Sequence, residues 1–480
     1  MTSKENPRSL QKLIDSVPDL VEYLYHDTPG PHGRTTAGLS PVPAEVTNWR
    51  DEQRAWRETA VLFDQSHHMP ELFLRGRDAR RLLGDLGVNS LGNLRPGLAK
   101  QYVGCNRHGQ MIGDCVLHDL GDETFELISG KPLQNWVQFN AETGDYDVTV
   151  ELDPNTSDNP TGRRRNFRFG LDGPHAGAIF AEIVEGDTPQ LTFFHTAYVT
   201  IAGHRVMALR HGMAGHQGVE LSGPFEYGPE VRAAVLAAGE KFGIRAGGTR
   251  AYYSSALESG WIGYPLPAIY TGEELRAYRT WLPTDSWEAK FQLAGSLRSD
   301  NVEDYYLTPF DMGYDRIIKF DHEFLGREAL EKIADKPPRR KVTLVWNTED
   351  VAQVFHSLFE PGLPYRYLEF PVADYGFPHN DEVRTPDGTL IGRSTQTGYT
   401  VNEHKMLSLG VVDTAYAKPG TEVTITWGEP DGGSRKPRIE PHRQLRIRAT
   451  VAPVPYPQSV QEMKRAAITG NASLAAVGEI

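Results

Sequence analysis

The sequence predicts an α+β protein of several domains that ends in an all-strand module. Three observations carry this. The chain has 480 residues, too many for one ordinary core, so two to four domains are expected. From residue 49 onward, short strands alternate with amphipathic helices. After Pro337 and Pro338, followed by Arg339, Arg340 and Lys341, only strands separated by turns such as Pro386-Asp387-Gly388 remain. The expected layout is a helix and Pro/Gly-rich loop at 1–48, a main region at 49–340 with a break near 152–165, a β-barrel or sandwich at 341–460, and a tail at 461–480.

Taken in order, residues 8–26 place Leu10, Leu13, Ile14, Val17, Val21 and Leu24 at helical period, interrupted at Pro18. Residues 27–48 hold four prolines and three glycines. A loop of that length is functional or disordered. Trp49 to Arg57 predicts an amphipathic helix, Thr59 to Phe63 a strand, and Asp64 to Pro70 a loop at its end. His67 and His68 are adjacent, so in an extended segment they point opposite ways and cannot easily share a metal. Either one faces a ligand while the other is structural, or both are ordinary loop histidines.

Glu71 to Arg75 predicts a strand and Asp78 to Leu86 a helix. Lys100 to Val103 and Gln110 to Leu117 flank an Asn106–Gly109 turn, a hairpin signal. Asp114 interrupts the second strand and marks a sheet edge or a site. Lys131 closes the strand that begins at Leu127, as an anion contact or a surface lysine. Residues 152–168 are the most linker-like stretch, and the arginines at 163, 164, 165 and 168 predict a solvated face, with anion binding the alternative. Helices are expected at Pro174–Ile183 and Pro229–Lys241.

Between these helices lies RHGMAGHQGVELSG, Arg210 to Gly223. A strand ends at Leu209, a loop with three glycines follows, and the chain resumes as Val219-Glu220-Leu221. Alternation puts Val219 and Leu221 on one face and Glu220 on the other, at a strand edge. A fixed carboxylate accepts two parallel N–H bonds, and the pyrimidine edge of a pterin offers such a pair. A solvated glutamate on a hairpin is the plainer alternative.

Composition narrows the class. Aromatics at 10% and hydrophobics at 39% predict a globular chain. A mean hydropathy of −0.46 without a long apolar run excludes a membrane-spanning helix. The start, MTSKENPRSL, lacks the apolar core of a signal peptide. Cys105 and Cys115 alone build neither a disulfide framework nor a Cys-rich metal site, which fits a cytoplasmic protein. A net charge of −13 argues against nucleic acid and requires local positive charge for any anionic substrate. No GxxxxGK[ST], HExxH, CxxC or GxSxG is present, and no GxGxxG follows a strand.

The succession FDQSHHM, KQYVG, GQMIGDCVL, RHGMAGHQGVELSG, LESGW, FLGREAL and GRSTQTGYT resembles the folate-binding aminomethyltransferases, the T-protein of glycine cleavage, over roughly residues 45–460. WRDEQRAWRETAVLFDQSHHM and GTRAYYSSALESGW look like the bacterial tetrahydrofolate-dependent O-demethylases of vanillate, 3-O-methylgallate and syringate. The resemblance implies three domains around a central folate site, the last a β-barrel. It matches the pterin-gripping carboxylate to Glu220, the acid of the GxxIxD strand to Asp114, and residues near folate to Tyr102 and Trp261. Arg250 is expected to be a further folate contact. The tyrosine essential for demethylation matches Tyr252, and the pocket glutamine and histidine match Gln65 and His68. Two departures concern the aromatic acid. Vanillate demethylases carry an arginine where Lys131 stands, and tyrosines where this chain has Ala37 to Pro43.

The resemblance implies transfer of an aryl O-methyl group to N5 of tetrahydrofolate, with Tyr252 and His68 assisting the ether oxygen and no metal required. Other family reactions, aminomethyl or S-methyl transfer, are the alternative. So is a folate-binding protein without transfer chemistry, although such relatives carry a cysteine motif that Ala256 to Tyr264 lacks.

Overall fold

A computed structural model describes residues 9–24, 42–159, 161–215, 217–372, 379–433 and 439–468. Most of the 27–48 loop, including Ala37 to Ser40, lies outside the described residues.

Three sheets organise the described chain. The first is antiparallel, in the order Ala99–Cys105, Met111–Gly121, Thr124–Ile128, Glu71–Arg75, Thr149–Asp153. Its first hairpin, at one edge of the sheet, turns where Gly109 adopts φ +70 and donates to the Asn106 carbonyl. Strand alternation divides the middle of Met111–Gly121, residues 114–118. Cys115 and Leu117 enter the core with Leu72, Leu74 and Leu127, under helices Ala79–Leu86 and Lys131–Thr143. Asp114, Val116 and His118 take the other face.

The second sheet has the order Arg245–Gly247, Val61–Asp64, Asn166–Asp172, Gly218–Pro224, His204–Leu209, Thr196–Ile201. Val219 and Leu221 are fully buried beneath helices Ala176–Ile183 and Gly228–Gly239. Glu220 takes the opposite face, as alternation requires. Its strand is internal, however, paired with Asn166–Asp172 and His204–Leu209, so Glu220 is not at a sheet edge.

The third sheet is a closed barrel: Arg339–Trp346, Lys405–Asp413, Leu390–Thr400, Asp381–Arg384, Glu422–Trp427, Leu445–Ala452. Trp346 and Trp427 fill it, their rings edge to face at 5.4 Å. Helices, two open sheets and this barrel make the fold α+β.

Helix Trp49–Glu58 shows why local sequence suffices for some elements. Asn48 caps it by accepting from Asp51 N at 3.0 Å. Asp51 and Glu52 stand in its first turn and Arg57 in its last, which suits the helix dipole. The 152–168 stretch corrects the expectation of a solvated linker. Arg164 is buried and donates to Asp153 at 2.8 Å, and Arg168 is buried on the inner strand Asn166–Asp172. Only Arg163 and Arg165 face solvent, pairing with Glu226 and Glu151.

Candidate active site

Residues from both open sheets line one cavity of about 460 Å³. Asp114, Val116 and Ile128 come from the first sheet and Glu220 from the second. The Arg210–Gln217 loop, Trp261, Tyr314 and the helix Gln458–Ile468 complete the wall.

Glu220 is 4% exposed. His211 Nδ1 stands 2.7 Å from its carboxylate, and the Arg168 guanidinium 3.9 Å away. Burial works against its charge, but His211, Arg168 and His118 together hold it below the usual carboxylate range. Burial opposes the charge of His211 too, and Glu220 overcomes that, raising the imidazole pKa. Arg168 reaches into the first sheet, to Glu71 at 3.0 Å and Glu126 at 3.3 Å. Burial, with the Glu71 charge, pushes Glu126 up to about 8.

Asp114 is the second acid of the cavity. It accepts from Gln101 Nε2 at 2.6 Å, the Tyr314 hydroxyl at 2.6 Å and the Trp261 indole at 3.1 Å. Burial nevertheless raises its pKa, against these three donors. Trp261 follows Gly260, whose φ of +73 ends helix Thr249–Ser259 and turns the chain toward the cavity.

Tyr252, on that helix, is 7% exposed. Its hydroxyl is 3.0 Å from His68 Nε2, and its ring meets His68 at 5.0 Å and Phe63 at 5.3 Å. Burial pushes the phenol well above its ordinary value, so it stays protonated. His67 points away and meets Thr156 Oγ1 at 2.9 Å, the opposite orientation that adjacency implied. The His68–Tyr252 pair does not itself line the cavity. Tyr252 shares an apolar cluster with Met69, Ile128 and Met213, which do. Gln65 is fully buried nearby, with neither side-chain amide atom hydrogen-bonded. A Cβ on Gly170 would stand 3.0 Å from its Nε2.

Lys131 opens helix Lys131–Thr143 after Ser129 and Gly130, both in the left-handed region at φ 66. Burial lowers its pKa, and Glu288 and Asp158 act to raise it. Ser129 lines the cavity; Lys131 does not.

Two expected folate contacts are corrected. Tyr102 is fully buried in the core of the first sheet and donates to the Leu83 carbonyl at 2.7 Å. Its neighbour Gln101 takes the cavity face, because successive side chains of a strand alternate. Arg250 is held outside the cavity, between Glu45 at 3.5 Å and the Phe370 carbonyl. The sequence reading also missed His211, Arg168 and Tyr314. His211 sits beside Arg210 in the glycine-rich stretch, a signal that was available. Arg168 and Tyr314 reach the site only through pairing of distant segments.

A solved glycine cleavage system aminomethyltransferase T from Bartonella henselae shares this fold. Its TM-score is 0.58 at 18% identity, covering 86% of this chain and 90% of that one. Residues 39–266 match the GCVT N-terminal domain. A syringate O-demethylase from a Sphingobium species is 46% identical over 94% of this chain and 96% of its own length. A sesamin methylene transferase from a Sinomonas species is 28% identical over 86% and 90%. The chain belongs to the glycine-cleavage T-protein (aminomethyltransferase) family, on its O-demethylase branch.

Proposed function

We propose that the protein moves the O-methyl group of a methoxylated aromatic acid, such as syringate, vanillate or 3-O-methylgallate, to tetrahydrofolate, releasing the phenol and 5-methyltetrahydrofolate in the cytoplasm. The observation that carries this reading is the buried His68–Tyr252 pair: a hydroxyl kept protonated, 3.0 Å from an imidazole nitrogen, in an apolar cluster shared with the cavity wall. The kinship with a syringate O-demethylase supports it.

When bound, tetrahydrofolate supplies N5 as the nucleophile that accepts the methyl group. The cavity suits such a molecule, with apolar Met69, Phe194 and Met213 for a flat ring and a buried, charged carboxylate at Glu220. Glu220 accepts the paired N–H donors of the pterin edge, and Asp114 holds a second polar point. The leaving group is a phenolate, whose parent phenol has a pKa of about 10, so the ether oxygen needs a donor as charge develops there. Tyr252 gives that hydrogen bond. His68 orients the Tyr252 hydroxyl and supports proton movement at it. Gln65 offers its unbonded amide to a polar ring substituent, and Lys131 meets the aromatic carboxylate as a point charge.

The test is incubation with tetrahydrofolate and a panel of methoxybenzoates, following 5-methyltetrahydrofolate. Product is expected with at least one of them. Intact folate binding with no transfer across the panel would overturn the reading.

A further inference from the structure

The ionisable groups of the cavity differ in depth. Asp114, Arg210 and Glu220 are buried, at 5%, 8% and 4% exposure, and His211 is half-buried. Lys464 alone among them is exposed. The cavity thus holds its carboxylates, Asp114 and Glu220, at depth together with Arg210 and His211, and a lysine at its exposed end.

Lys464 arrives on helix Gln458–Ile468, which follows the last barrel strand. The helix is docked firmly. Val460 is fully buried, and a Cβ added to Gly215 of the cavity loop would stand 2.8 Å from its Cγ1. Met463 lines the cavity beside Lys464. The Lys464 ammonium donates to the Ser259 carbonyl at 2.8 Å, and Lys341 donates to the next carbonyl, Gly260, at 2.7 Å. That bond uses one of three ammonium donors. Two lysine side chains therefore reach consecutive carbonyls, and burial lowers the pKa of both, that of Lys341 to about 7. The molecule as a whole carries −13, a field that repels anions, so a local cation decides whether an anionic segment settles there.

Resting on the folate reading above, we propose that Lys464 recognises the carboxylates of the glutamate tail of tetrahydrofolate at the mouth, while the pterin lies against the buried Glu220 carboxylate. The polarity of the ligand, donor-rich at the pterin and anionic at the tail, matches the polarity of the cavity. Each further glutamate of a polyglutamylated folate adds a carboxylate within reach of the same potential.

The test compares tetrahydrofolate with tetrahydropteroate, which lacks the glutamate, by calorimetry on the full chain. Lys464→Gln should weaken tetrahydrofolate about 3- to 10-fold, as for loss of an exposed to half-buried ion pair. Tetrahydropteroate affinity should not move, and Lys464→Arg should restore the difference. Equal weakening of both ligands means that Lys464 only secures the end of helix Thr249–Ser259, and overturns the proposal. Unchanged binding of both overturns it as well. If the wild-type protein binds neither ligand, the folate reading itself falls and takes this assignment with it.

Discussion

At the scale of single residues, Tyr252 and Tyr253 are chemically alike and only their directions separate them. Tyr252 is buried against His68, whereas Tyr253 is half-buried with its ring 5.8 Å away. Tyr252→Phe keeps the ring and removes the hydroxyl. Steady-state kinetics should show kcat lower by about 10²- to 10⁴-fold with KM within a few-fold, the pattern of a bond made mainly in the transition state. Tyr253→Phe should stay near normal, and the reverse result would assign the transfer step to the other tyrosine. Glu220→Gln replaces an acceptor with a donor and should weaken tetrahydrofolate binding by about 1.5–3 kcal/mol in calorimetry. Unchanged affinity would remove Glu220 from the pterin site. These residues were legible because short motifs and strand alternation report direction. Alternation places Glu220 opposite Val219 and Leu221, and the structure agrees. The same rule separates Gln101, on the cavity face, from Tyr102, in the core, a difference the motif alone does not report.

At the scale of elements, capped helices and hairpins were readable from neighbouring residues. Helix Trp49–Glu58 has its cap and its dipole charges in the sequence itself. The 152–168 stretch was misread for the opposite reason. Its polar composition is that of a linker, but Arg164 pairs with Asp153 inside the stretch itself, and Arg168 finds Glu71 and Glu126 on distant strands. Such pairing is non-local and leaves no periodic trace. Gly130 illustrates another element-level constraint. It links strand Thr124–Ile128 to helix Lys131–Thr143 at φ +66, and a Cβ there would meet the Asp114 carbonyl oxygen at 1.9 Å. Gly130→Ala should cost at least ~1–2 kcal/mol for the left-handed backbone alone. The clash should also shift the strand that carries Asp114. Urea denaturation measures the first effect, and a change in tetrahydrofolate affinity reports the second. Full stability in this variant would show that the turn relaxes freely.

At the scale of the whole molecule, buried acids make stability depend on pH. Asp172 is fully buried behind the cavity loop and accepts from Ala214 N at 3.2 Å. Burial raises its pKa from 3.8 to about 7. Between those values the folded protein binds the proton that the unfolded chain has released, so stability falls as pH rises through this window and levels off above it. Asp172→Asn cannot titrate. Its stability relative to wild type should therefore improve from pH 5 to about pH 7, at up to about 1.4 kcal/mol per pH unit, and then level off, measured by denaturant midpoints. A constant difference across that range would refute the buried-acid account. The aminomethyltransferase-like fold with its C-terminal barrel was expected from the family resemblance rather than from periodicity. The barrel was half-visible as a run of strands, but its closure was not, because closure depends on strands Arg339–Trp346 and Leu445–Ala452 meeting across the whole module. That meeting also governs how the molecule behaves in a crowd. Each of the six barrel strands has a hydrogen-bonded neighbour on both sides, so a stray segment of another chain finds no row of free amides there to extend. The open margins among the described strands belong to the other two sheets. On one of them, Thr196–Ile201, the Arg205 guanidinium lies 3.3 Å from the centre of the Tyr198 ring, setting a charge over the outermost aromatic and discouraging edge-to-edge growth.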